Sequence, residues 1–416
     1  MPIRFAKDLQ YYKFCAYGFL KNMDFFDPFL ILFFREKGLS FLEIGTLYAL
    51  REIMINIFEI PTGMLADTMG RRRTLVSAFA FYIVSFIIFY FSGSYALFVV
   101  AIVFYGYGDA FRSGVHKAMI FEYLKLKNWH DQKAHYYGHT RSWSQTGSAV
   151  SAVIAGALVF ITGSYSIVFI AATLPYLLDL LLIASYPKEL DGKKRVHSRS
   201  QILQSFKETF LDFVSAITNK FVLGAILTQA VYTGYYKAVK DYLQPVLKTL
   251  ALALPILTFA QGEKRAAIVV GIAYFFIYMA TAWMSRHSGR FAERYPNLVR
   301  PLNYTMLVGL TAGALSGILF HIGWLWVSIA LFVFILLIEN LRKPIGIAAV
   351  ADQLEKDIMA TAMSAESQAE TLVAAILAPI LGYFADLYGV GPAISIASVL
   401  LLVLFPFYKA KSKAIH

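Results

Sequence analysis

Blocks of about twenty mostly apolar residues recur from one end of this chain to the other, and that recurrence limits its fold more than any other feature. A helix that crosses a bilayer needs roughly 20 such residues, and the core of a soluble domain has no room for a dozen of them. Twelve spans are predicted, at Tyr11–Phe34, Phe41–Leu65, Thr74–Phe91, Ala96–Tyr123, Gly138–Ile161, Tyr165–Tyr186, Phe221–Leu247, Ala266–Met284, Leu302–Phe320, Trp324–Ala351, Ala360–Ala385 and Val390–Phe407. Connections as short as Ser92-Gly93-Ser94, Thr162-Gly163-Ser164 and His321-Ile322-Gly323 imply antiparallel neighbours. The composition agrees: 58% of the residues are hydrophobic and 15% charged, where an ordinary soluble domain carries about a quarter charged residues. The expected fold class is an all-α membrane protein.

The net charge of +12 could suggest nucleic acid, but its placement points elsewhere. With the N-terminus in the cytoplasm, 23 Lys and Arg fall in the cytoplasmic segments and five, Arg35, Lys37, Lys248, Lys264 and Arg265, on the opposite side. Such a bias sets membrane orientation, so both termini are expected in the cytoplasm and the chain in the plasma (inner) membrane, among lipids rather than on nucleic acid. The first block is too long for a signal-peptide core and ends in Phe34-Arg35-Glu36-Lys37 with no small-residue cleavage site, so it reads as a retained helix. A single cysteine, Cys15, cannot close an intrachain disulfide.

The longest polar stretch, 187–220, follows six spans and contains Asp191-Gly192-Lys193-Lys194-Arg195. It divides the chain into an N-terminal six-helix half (1–186), a cytoplasmic linker (187–220) and a C-terminal six-helix half (221–416). The halves echo each other. Gly63-Met64-Leu65-Ala66-Asp67 after the second span aligns with Gly289-Arg290-Phe291-Ala292-Glu293 after the eighth. Asp109-Ala110-Phe111-Arg112, with Glu122-Tyr123-Leu124 beyond it, aligns with Glu339-Asn340-Leu341-Arg342 and Asp352-Gln353-Leu354. Asp24 precedes Pro28 by four residues in the first span, as Asp241 precedes Pro245 in the seventh. Repeats of this kind are common in transporter folds.

The segment Gly63-Met64-Leu65-Ala66-Asp67-Thr68-Met69-Gly70-Arg71-Arg72-Arg73 resembles the signature loop of the major facilitator superfamily, G-x-L-A-D-x-x-G-R-R/K. With twelve spans, a central loop and the half-repeat, the resemblance covers essentially the whole chain. It implies alternating access about a pathway lined by spans one, four, seven and ten, a monomer, and a signature loop that latches the cytoplasmic side. Gly63, Asp67, Gly70, Arg71 and Glu293 are therefore expected to act in gating rather than as substrate ligands.

A basic side chain at a helix centre costs about 2.5–3.5 kcal/mol to insert, so basic residues inside spans need a water-filled cavity or acidic partners. The polar stripes fall on the same four spans: Lys21, Asp24 and Asp27 on the first; Asp109, Arg112, His116 and Lys117 on the fourth; Tyr236, Lys237, Lys240 and Asp241 on the seventh; Glu339, Arg342 and Lys343 on the tenth. Lys21, Arg112, His116, Lys117, Lys237, Lys240, Glu339, Arg342 and Tyr236 are the expected substrate contacts. Asp24, Asp27, Asp109 and Asp241 are the expected proton carriers. Asp109 with Arg112, and Glu339 with Arg342, are also spaced to pair locally. Arg51, Glu52, Glu59, Arg141, Glu366 and Glu370 lie on other spans and read as gating or interhelical contacts.

On the four stripes bases exceed acids by seven to five, which favours a small solute bearing a negative group. Proton coupling is the expected energy source. The residues suggest no nucleotide loop, metal cluster, cofactor site or nucleophile motif, so an enzyme is not expected. Two other readings stay open. One is a multidrug/proton antiporter, suggested by the small-residue face Gly147-Ser148-Ala149 to Gly156 on the fifth span. The other is a membrane scaffold or receptor built on a transporter fold.

Overall fold

A computed structural model describes residues 7–129, 133–192, 204, 220–255, 258, 260, 262–352 and 359–410. Most of the expected linker 187–220, with Lys193-Lys194-Arg195, lies outside the described residues, as do Gln353 and Leu354 of the repeat. Among the described residues every regular element is helical. Among the described residues, nine helical stretches are long and apolar enough to cross a membrane. They are α4 (Arg71–Phe91), the run formed by α5 (Tyr95–Arg112) and α6 (Val115–Leu126), α7 (Lys133–Thr162), α8 (Ile167–Ala184), α11 (Gly262–Ala292), α12 (Val299–His321), α13 (Leu325–Asp352), α14 (Met359–Tyr388) and α15 (Val390–Tyr408).

The three other predicted spans coincide with helices that are broken or charged. The first is divided between α1 (Leu9–Lys21) and α2 (Leu30–Glu36), with a 3₁₀ turn at Asp27–Phe29 between them. The second is α3 (Phe41–Met69), whose Glu43, Arg51, Glu52, Glu59 and Asp67 lower its hydropathy. The seventh is divided into α9 (Lys220–Val239) and α10 (Leu243–Ala253) around a 3₁₀ turn at Lys240–Tyr242. Proline causes both breaks, because it has no N–H and its ring clashes with the carbonyl four residues back. For Pro28 that residue is Asp24, whose carbonyl instead accepts from Asp27 N at 2.8 Å. The matching Asp/Pro spacings in the sequence therefore mark interruptions, and Lys21, Asp24 and Asp27 do not share one continuous helical face.

The fourth span is also interrupted, between Arg112 and Val115. Gly114 takes φ +70°, a conformation that costs glycine little. Ser113 Oγ donates to Glu59 Oε1 at 2.7 Å.

The chain forms two compact units. One comprises Met1–Phe29, Met54–Ser205 and Ala267–Tyr278; the other comprises Leu30–Ile53, Phe206–Ala266 and Met279–His416. In the first unit, α1 crosses α7 closely: a Cβ on Gly147 would lie 2.4 Å from Phe19 O. Farther along α7, a Cβ on Gly156 would lie 2.9 Å from Ala267 O. The small-residue face of the fifth span is thus used for helix packing, as expected where backbones approach inside a membrane.

In the second unit α3 and α14 cross closely. A Cβ on Gly45 would lie 2.3 Å from Ala378 O, and one on Gly382 would lie 2.2 Å from Phe41 O. The Asp386 carboxylate accepts from Phe41 N and Leu42 N at 2.8 Å each, which caps the positive end of α3.

Candidate substrate site

In the first unit α1, α5, α6 and α7 enclose a cavity of about 350 Å³. Four of the residues singled out in the sequence line it: Lys21, Arg112, His116 and Lys117. Arg141, read from sequence as a gating or interhelical residue, joins them. None of the lining residues is acidic.

Arg112 is held from behind. Its Nε donates to Tyr82 Oη at 2.9 Å and one terminal nitrogen to Asp109 Oδ1 at 3.3 Å. Tyr82 Oη donates to the same carboxylate oxygen at 2.6 Å. Asp109 is buried, whereas the Arg112 side chain keeps 29% exposure. The acid thus orients the guanidinium while the cation faces the cavity. The local pair suggested by the spacing is present, and it leaves Arg112 donors available.

His116 stacks on Tyr17, with ring centroids 3.5 Å apart and 10° between the planes. Its Nε2 lies 3.3 Å from Tyr186 Oη. The Lys117 ammonium sits 5.6 Å above Phe121 and 5.7 Å above Tyr137, so cation–π attraction holds it without neutralising it. Asp27 accepts from Tyr278 Oη at 2.6 Å. Neither Asp24 nor Asp27 lines the cavity.

The second unit places its candidates differently. Lys237 pairs with Glu52 at 3.1 Å and Lys240 with Asp241 at 3.3 Å. Tyr236 lies partly buried beside them on α9. Glu339 is buried and accepts from Thr233 Oγ1 at 2.8 Å. Arg342 is 0% exposed. Its terminal nitrogens donate to Leu302 O at 2.7 Å, Thr305 Oγ1 at 3.3 Å and Thr228 O at 2.9 Å, and its guanidinium lies 4.5 Å above the Tyr232 ring. The spacing suggested an ion pair with Glu339 or a substrate contact. The guanidinium is instead committed to backbone carbonyls and an aromatic face, because a helix interior offers carbonyls at the reach of this long side chain.

At the signature loop, Gly70 stands immediately before α4 with φ +98°. Arg71 lies 3.7 Å from Glu122 and donates to Ala118 O at 3.4 Å. Asp191 accepts from Arg72 N at 2.7 Å, and Arg72 donates to Tyr186 O at 3.1 Å. The turn therefore fastens α4 to α6 and to the 3₁₀ turn Lys188–Asp191. Gly63 and Asp67 lie on the last turns of α3, and Glu293 lies exposed just past α11.

Sequence reading passed over two acids. Asp386 occupies Gly382-Tyr383-Phe384-Ala385-Asp386-Leu387-Tyr388-Gly389, the same G-x-x-A-D-x-x-G spacing as the signature loop, and that repeat could have flagged it. Asp179 sits in the run Leu177-Leu178-Asp179-Leu180-Leu181. An acid inside an apolar run is a functional signal in its own right.

The profile of the Major Facilitator Superfamily matches residues 14–372. A stretch of 104 residues is 36% identical to an uncharacterized MFS-type transporter, YxaM, of Bacillus subtilis (strain 168). That stretch spans 25% of this chain and about a quarter, 26%, of the relative. The solved nucleoside transporter NupG superposes with a TM-score of 0.73 at 13% identity, over 98% of this chain and 100% of that one. A POT family transporter in complex with 5-aminolevulinic acid superposes with a TM-score of 0.69 at 13% identity, over 96% and 95% of the two chains. At such identities the likeness is one of fold.

Proposed function

The chain belongs to the major facilitator superfamily, and from that premise we propose that it is a secondary active transporter for a small organic solute bearing a negative group. The observation that carries this reading is the cavity of the first unit, where Lys21, Arg112, His116, Lys117 and Arg141 converge with no acid among the lining residues. Cationic side chains inside a span are costly. A carboxylate or phosphate on the solute would bring negative charge to this basic lining, and the Arg112 fork suits such a group.

In this reading the chain sits in the cytoplasmic membrane with both termini inside. It works as two six-helix halves, 1–186 and 221–416, by alternating access, and needs no cofactor. The geometry also supports coupling. Arg112 is shared between the cavity and Asp109. A solute anion that draws the guanidinium forward takes the positive charge of Arg112 away from Asp109, and Asp109 then takes up a proton. Anion and proton would bind together and leave together.

Uptake into proteoliposomes under an imposed pH gradient tests this. Organic anions are expected to accumulate when the outside is acidic. Asp109→Asn is expected to abolish the pH dependence while retaining anion exchange. Accumulation of lipophilic cations alone would favour the antiporter reading. No transport of any class would favour a scaffold.

A further inference from the structure

Arg112, Lys117 and Arg141 stand in the cavity of the first unit as two groups. Arg112 ends α5 and Lys117 lies in the first turn of α6, and the break at Ser113-Gly114 stands between them. The Arg112 guanidinium is held from behind by Tyr82 and by Asp109 at 3.3 Å. Lys117 belongs instead with Arg141, and the two meet at Tyr137 on α7. The Lys117 ammonium lies 5.7 Å over the Tyr137 ring and 5.6 Å over that of Phe121, so it is held by aromatic faces. Arg141 stands four residues beyond Tyr137, a spacing that makes neighbours on a helix surface. Both Lys117 and Arg141 are exposed, and no acid lines the cavity beside them.

Two neighbouring cations repel unless water or an anion lies between them. A single carboxylate on the Arg112 fork leaves Lys117 and Arg141 to solvent, whereas a second negative charge on the same solute gives them a partner inside the cavity. Tyr17 adds an unused donor: it lines the cavity, is 6% exposed, and its hydroxyl has no hydrogen-bond partner among the described residues. The volume of about 350 Å³ is within the range of small-molecule sites. We propose, narrowing the anionic-solute reading on which this rests, that the solute is a dianion, and that Lys117 with Arg141 selects its second charge. Phosphate monoesters and short dicarboxylates share that chemistry.

Titration calorimetry on the purified full-length chain tests this with two matched pairs of probes, at a pH well above the second ionisation of a phosphate monoester, near 6. Phenyl phosphate and phenyl sulfate have nearly the same shape and differ by one charge. Succinate and its half-amide, succinamate, differ likewise with the charges set apart. In at least one pair the dianion is expected to bind about 10-fold tighter or more, the worth of one further charge-assisted contact, with one dianion per chain. Discrimination in the phenyl pair identifies a phosphate as the preferred group; discrimination in the succinate pair alone identifies a dicarboxylate. The double variant Lys117→Gln, Arg141→Gln is expected to bring the ratio close to unity. Both side chains are exposed, so the fold should survive their replacement, and an unchanged thermal midpoint checks that. Equal affinities within both pairs overturn the proposal and leave the anionic-solute reading standing, as does a double variant that discriminates like wild type. Two phenyl sulfates bound per chain also overturn it, by making the two groups separate monoanion sites. If no anion binds, the anionic-solute reading fails and this inference fails with it.

Discussion

Replacing Arg112 by alanine is expected to weaken binding of a stabilising organic anion by roughly 30-fold or more. Removing one member of a buried, hydrogen-bonded charge pair costs about 2–5 kcal/mol. The loss has two parts. The anion forfeits the guanidinium, and the buried Asp109 loses the cation that faces it while Tyr82 still donates to it. Arg112→Lys keeps the charge but loses the planar fork and should fall between the two. Titration calorimetry with the purified chain separates these cases. Equal affinities in wild type and Arg112→Ala would remove the cavity from the substrate site.

The second large effect is structural. Arg342→Ala is expected to destabilise the fold by about 3–5 kcal/mol, from unsatisfied acceptors plus the void left beneath Tyr232. Its guanidinium meets Leu302 O, Thr305 Oγ1 and Thr228 O, joining α13 to α12 and α9. Arg342→Lys should recover little, since an ammonium cannot span those acceptors as the fork does. The yield of monodisperse protein and its thermal midpoint report the effect. A variant with wild-type stability that has lost its response to anions would return Arg342 to the list of substrate contacts.

The contrast between these two arginines shows what the sequence could convey. Both lie in apolar blocks, both have an acid three residues earlier, and they occupy equivalent places in the repeat. Burial costs fix that each must find partners, but not which ones. Arg112 keeps its acid because Tyr82 comes from α4 to complete the triangle; Arg342 turns to carbonyls of two neighbouring helices. Those partners are set by tertiary packing, which has no signature in one strand of sequence.

Apolar blocks were legible because bilayer thickness dictates their length, and Lys21, Arg112, His116 and Lys117 because charge inside such a block stands out. Tyr82 was missed because an aromatic hydroxyl barely disturbs hydropathy. Asp179 was legible in principle: an acid among leucines breaks the same rule that exposed the cations. The breaks at Asp27–Phe29 and Lys240–Tyr242 were half legible, since the prolines were visible but were read as marks of symmetry rather than as interruptions.

The most direct test of the anionic-solute reading is a thermal-shift screen of the purified wild-type chain against small solutes sorted by charge. A ligand selective for the folded state raises the midpoint by mass action, worth about 2.7 kcal/mol at a hundredfold excess over Kd. Organic anions are predicted to raise the midpoint while matched neutral compounds do not. A rise with lipophilic cations alone would contradict the account.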